Sequence, residues 1–175
     1  MSTSTQFVSC GSSENLRTAF NDLRAFVVSL ATGNYCRTDP TLAEGTSSKK
    51  TVKASPFTFN ILGMPYAHAG AETAFTATTH DCADGYTRTY TIEVPATGTI
   101  IITPGTAVLT ANVANVPSAA PATTAAHAKV GEVKVAADGA IFNASSDDLD
   151  AGHLTVTYTD FDYVTQTTGF ALTDS

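Results

Sequence analysis

The sequence predicts a mainly β protein: an antiparallel β-sandwich or small barrel of about seven to nine short strands, preceded by one amphipathic α-helix. Three observations carry this. The 175 residues include 30 Thr and 27 Ala, about a third of the chain, and Thr is β-branched and favours strands. From Pro56 onward, short apolar or Thr-rich runs are punctuated by Gly and Pro. Charged residues make up only 14%, too few for a coiled coil, whereas 43% hydrophobic residues supply material for a core. The length fits one domain with a short extra arm, which divides the chain into residues 1–55 (helix plus long loop) and 56–175 (β-sandwich).

The helix is predicted over residues 13–32. Leu16, Ala19, Phe20, Leu23, Val27 and Leu30 recur at the three- and four-residue spacing of one helical face. Ser12 or Ser13 can cap the start, Glu14 suits the positive end of the dipole, and Gly33 suits the position after the last turn. Phe26 and Val28 lie off this stripe, so the helix has apolar material on a second side. It either packs on its own sheet or contacts another subunit.

Residues 34–55 are polar, contain Pro40, Gly45 and a Ser/Thr/Lys run, and read as a linker or long loop. Lys49, Lys50 and Lys53 form the one basic cluster of the chain. The expected subunit-contact residues are therefore Leu16, Phe20, Leu23, Phe26, Val27, Lys49, Lys50 and Lys53.

Strands follow. Residues 57–62 and 64–68 read as a hairpin turning at Gly63, with Pro65 forcing an edge or a bulge. Residues 74–78 (AFTAT) read as a third strand. From Tyr86 to Val94 the sequence alternates, with Tyr86, Arg88, Tyr90, Ile92 and Val94 on one face and Thr87, Thr89, Thr91 and Glu93 on the other. That is the pattern of a half-buried strand. Residues 99–103 return at hairpin distance, and residues 107–113 add a strand or an irregular edge. The uncharged stretch 114–127, with two prolines and six alanines, reads as an extended surface connection. Residues 129–136 form a strand whose phase slips at Gly131, as a bulge causes. Residues 140–144 follow a turn at Gly139, and residues 154–159 (LTVTYT) alternate cleanly, with Leu154, Val156 and Tyr158 inward.

Charge excludes some partners. The net charge of −7 lies wholly in residues 136–175, which hold seven acids and no Lys or Arg, while the first 135 residues carry nine of each sign. A nucleic-acid binder needs a basic footprint, which this chain lacks. No apolar run is long enough to span a bilayer, and residues 1–16 have neither the basic flank nor the apolar core of a signal peptide. Cys10, Cys36 and Cys82 are three, widely spaced and without a CxxC pattern, and are expected as reduced thiols.

His80, Asp81, Cys82 and Asp84 form the densest reactive set. Zinc would need further ligands from His68, His127 or His153 with no local signature, so a polar loop holding a semi-buried Cys is expected instead. Asp147, Asp148 and Asp150 resemble a calcium loop only loosely, lacking the glycine and closing Glu of an EF-hand, and can equally cap a turn. No nucleophile elbow, phosphate loop, dinucleotide fingerprint or HExxH motif occurs. No catalytic residue, cofactor or metal is expected, and the chain reads as a non-enzyme. A small hydrolase centred on Cys82 or His80 is the enzymatic rival.

Three phrases carry a resemblance: FTFNILGMPYAHAGAETAFTA (57–77), YTIEVPATGTIIITPGTAV (90–108) and VGEVKVAADGAIFNASSDDLDAGHLTVTYTDF (130–161). Their order resembles small bacteriophage virion proteins of the head decoration, cement or head-fibre type. The resemblance implies a β-rich subunit on the outer surface of a phage head, made in the host cytoplasm. It implies binding to the major capsid protein and self-association as a trimer or dimer. A receptor-binding or adhesion module using Tyr66, Tyr86 and Tyr163 is the alternative.

Overall fold

The computed structural model describes residues 13–114 and 118–161. The chain divides into two units, Met1–Gly33 and Asn34–Ser175. In the first, helix α1 occupies Ser13–Thr32, as its apolar spacing predicts, with Gly33 directly after it. Cys10 and Ser12 lie outside the described residues.

The second unit is mainly β, with eleven strands in three antiparallel sheets among its described residues. One sheet holds β1 (Tyr35–Cys36), β4 (Phe57–Ile61) and β5 (Met64–His68), in the order β1-β4-β5. A second holds β2 (Ala43–Glu44), β3 (Thr51–Ala54) and β6 (Ala71–Ala74), in the order β2-β3-β6. The largest runs β11-β10-β7-β8, from β7 (Tyr86–Pro95), β8 (Ile101–Pro104), β10 (His127–Ala137) and β11 (Leu154–Asp160), and β9 (Val108–Leu109) also pairs with β7. Among the described residues each sheet ends in open edges and no barrel closes, so the arrangement is sandwich-like.

Residues 34–55 are not a structureless linker. They contribute β1, β2 and β3, and bury Cys36, Leu42, Val52 and Ala54 in the core. They belong to the same compact unit as the later strands. Strands of two to four residues leave no readable period, and their polarity masks the few inward positions. The strand expected at 74–78 lies earlier, at β6, because Phe75 turns into the core and residues 76–80 form a turn. Residues 140–144 form a single bridge, Cys82 to Phe142, rather than a strand.

The hairpin β4–β5 turns on Leu62 and Gly63, both at positive φ (50° and 80°), the two-residue turn whose twist suits antiparallel strands. Asn34 Oδ1 accepts from the Leu62 amide at 2.7 Å and steadies this unfavourable conformation for leucine. Across the hairpin Phe57 stacks on His68 and Phe59 on Tyr66, at ring separations of 5.0 and 5.4 Å. In β10 the register shifts between Lys129 and Gly131, the expected bulge. A side chain at Gly131 would meet Leu42 Cδ1 at 2.4 Å, so the glycine admits the loop packed over the sheet.

At the centre of the core, Phe75 presents edges to His80, Tyr90 and Phe142, with centroids 5.7, 5.0 and 5.6 Å away. It joins the loop at His80, strand β7 at Tyr90 and the bridge residue Phe142. Phe75→Ala is expected to cost about 3–5 kcal/mol of stability by removing this packing and leaving a cavity. Urea denaturation checks it; a loss under about 1 kcal/mol would show that the cluster is not central.

Candidate functional site

The predicted contact residues fall into two groups. On α1, Phe20, Leu23 and Val27 are 68%, 55% and 53% exposed, and Val28 beside them is also exposed. The side chains of Leu16 and Phe26 lie outside the described residues. Leu62 and Met64, at the tip of the β4–β5 hairpin, add exposed apolar surface on the other unit. These are the large apolar side chains with most to gain from a covering partner.

The lysines are used differently from one another. Lys49 pairs with Asp150, and its carbonyl accepts from the Leu149 amide at 2.8 Å. The basic loop thus clamps the acidic segment of the same chain. Both side chains are about half exposed, so the pair itself contributes little. Lys53 lies on β3, in register with Glu72 on β6. Lys50 follows in the loop and is partly buried.

Glu72 organises the Ser/Thr run that reads as a linker. Its carboxylate accepts from the amides of Thr46 (2.8 Å), Ser47 (2.9 Å) and Ser48 (3.3 Å) and from the Thr46 hydroxyl (2.8 Å). The Ser47 amide and Thr46 hydroxyl lead in holding the carboxyl down at about 2, against 4.5 ordinarily.

The reactive loop 80–84 is a structural knot. His80 Nδ1 accepts from the Thr76 amide at 2.7 Å, and the His80 carbonyl accepts from the Tyr90 hydroxyl at 2.5 Å. Burial, reinforced by Arg88, lowers the His80 pKa and keeps the ring neutral. Cys82 is fully buried, donates to the Tyr86 carbonyl at 3.4 Å, and is pushed by burial up to about 11. A thiol so placed is no nucleophile at neutral pH. Asp81 accepts from the Ala144 amide and Asp84 from the Gly139 amide, each at 2.8 Å. Arg88 donates to the carbonyls of Thr79, Asp81 and Gly105.

The acidic loop caps a turn. Asp147 Oδ2 accepts from the Asn143 amide at 2.8 Å and Oδ1 from the Ser146 hydroxyl at 3.1 Å. The Asn143 amide leads in lowering its pKa. Among the described residues no group of three or more His, Cys, Asp or Glu is placed to hold a metal ion. No helix among them is long and apolar enough to cross a membrane. Tyr66 and Tyr86 pack against the core, and Tyr163 lies outside the described residues.

The residue that sequence reasoning misplaced is Glu93. Alternation assigns it to a solvent face, yet it is 1% exposed, and Thr87, Thr89 and Thr91 are buried with it. The extended segment 118–124 covers that face. Thr89 Oγ1 donates to the Ser118 carbonyl (2.9 Å) and Thr91 Oγ1 to the Pro121 carbonyl (2.8 Å). Glu93 accepts from the Thr124 amide (2.8 Å), the Thr124 hydroxyl (2.7 Å) and the Thr103 hydroxyl (3.0 Å). Burial pushes its carboxyl up, but the Thr124 and Thr103 bonds, with the His127 ring 3.4 Å away, outweigh that and leave it below the ordinary value. Beside it opens a groove of about 410 Å³ lined by Asn34, Thr123, Thr124, Ala125, His127, Lys129 and Phe161. Its lysine is committed to Glu132 (2.5 Å) and lies over the Phe161 ring.

No protein-family model, curated protein or solved structure matches this chain.

Two outcomes are expected. Glu93→Gln turns an amide NH₂ group or a poorer acceptor toward the Thr124 donors and should cost about 1–3 kcal/mol, read by urea denaturation at pH 7. Glu72 contributes stability that is complete above pH 4.5 and is lost as pH falls through about 2. The stability difference between wild type and Glu72→Gln should therefore shrink across that window; a constant difference would refute the role of the cradle.

Proposed function

We propose that this chain is a non-catalytic structural protein of a bacteriophage virion that decorates the outside of the head, binding between major capsid subunits. One contrast carries the reading. The reactive side chains of loop 80–84 and the acidic loop are engaged in holding loops together, while Phe20, Leu23, Val27, Leu62 and Met64 stand exposed. Chemistry is turned inward and apolar contact surface outward, as an assembly subunit requires and a catalyst does not. The phrases at 57–77, 90–108 and 130–161 support the same reading through their resemblance to head decoration proteins. On a symmetric shell, many weak copies of such contacts would act together.

The test is reconstitution on phage heads. Heads that bind the purified protein at a regular lattice site and survive heating better are the expected result. The Phe20→Asp/Val27→Asp double variant, altered only at exposed positions, should lose binding while keeping its unfolding midpoint. Heads that neither bind the protein nor gain stability would overturn the proposal, and binding to host cells instead would favour the adhesion alternative.

A further inference from the structure

Among the described residues strand β11 is an edge, pairing only with β10 through seven continuous residue pairs from Gly131–Asp160 to Ala137–Leu154. The phase of its hydrogen bonds is fixed at both ends. The Asp138 amide donates to the His153 carbonyl at 2.9 Å, and the Phe161 amide donates to the Val130 carbonyl at 3.0 Å. Alternation between these points turns the amide and carbonyl of Thr155, Thr157 and Thr159 toward β10. Those of Val156 and Tyr158 are directed to the outer edge, where no strand among the described residues meets them.

Other long edges are guarded. β5 carries Pro65, β8 ends in Pro104 and the four-residue β6 carries the charged Glu72, while β1 and β2 are two residues each. β11 has seven residues with no Pro, Gly, Lys or bulge, and its threonines at 155, 157 and 159 are exposed. A regular unguarded edge of this kind is a template for another strand.

We propose that β11 is a homodimerisation edge, pairing antiparallel with β11 of a second copy about a two-fold axis through Thr157. The strand is self-complementary in that register. The axis sets Val156 against Tyr158 of the other copy and Leu154 against Asp160, so the outward-directed groups of Val156 and Tyr158 meet one another. Thr157 then faces its own copy in a close, non-hydrogen-bonded pair, and Thr155 faces Thr159, giving threonine pairs along the exposed face. The two Asp160 carboxylates fall at opposite ends of the ladder, so no like charges stand opposite. An axis one residue away in either direction shortens the overlap. The inference is independent of the capsid reading, because it uses only the geometry of this edge.

The experiment uses the full chain with Cys10→Ser, since Cys36 and Cys82 are buried. Light scattering should give twice the 18.1 kDa chain mass, and Thr157→Lys, which sets two cations face to face on the axis, should halve it. Under mild oxidation Thr157→Cys should form a disulfide-linked dimer. Thr155→Cys, which faces residue 159 rather than itself, should not. A monomeric mass overturns the proposal; if the Val156 and Tyr158 amides then exchange slowly, the edge belongs to another segment of the same chain. A dimer that survives Thr157→Lys, or equal crosslinking at 155 and 157, overturns it as well.

Discussion

The structure of the β unit depends on burying both faces of β7. On one face Tyr90, Ile92 and Val94 enter the aromatic and aliphatic core; on the other, three threonines and a glutamate lie equally deep. A polar face can be buried only if its donors and acceptors find partners, and here they find them in order along a single covering segment. Ser118 meets Thr89, Pro121 meets Thr91 and Thr124 meets Glu93, so every third residue of the segment meets every second residue of the strand. Thr87 pairs with Thr110 at 3.0 Å at the other end. The bonds pin the segment, and the segment keeps water from the bonds. The Thr- and Ala-rich composition serves this arrangement: threonine supplies one hydroxyl per position without a charge, and the Ala/Pro chain lies flat against it.

Elements with a strong period were legible. Helix α1, the β4–β5 hairpin, the β10 bulge and the alternation of β11 follow from the sequence pattern. Elements defined by their partners were not. The strands β1 to β3 are too short to show a period, and the burial of Glu93 is decided by a segment about thirty residues away. Glu72 is similar: nothing in the run Thr46-Ser47-Ser48 states that three successive amides will converge on a carboxylate from β6. A lone acid within a Thr-rich strand is the one signal that could have flagged Glu93, because a solvent-facing strand rarely needs its neighbours to be uniform hydroxyls.

The residues that look most chemical in the sequence turn out to do architectural work, for one physical reason. The connection 75–85 is short, buries Phe75, His80 and Cys82 and has little regular structure, so its backbone and side chains must satisfy one another. His80 as a neutral acceptor, Asp81 and Asp84 as amide acceptors, and Arg88 as a three-carbonyl donor do this together. Removing charge from such a knot leaves orphaned donors, which makes these positions intolerant without making them catalytic.

The distribution of charge follows the same logic. The acidic excess of residues 136–175 suggests, as a sequence, a face held apart from the rest of the molecule. The structure instead ties its described part back through Asp150 to Lys49 and through Asp160 to the Leu42 amide at 2.6 Å, while Asp147 closes a turn within it on the Asn143 amide. Asp150 joins two loops, and Asp160 at the end of β11 receives the amide of the loop at Leu42. Acids in this segment therefore act as acceptors that close the sandwich. On β11 the exposed Thr155, Thr157 and Thr159 carry no charge, and the strand's one acid, Asp160, stands at its end and accepts from the Leu42 amide.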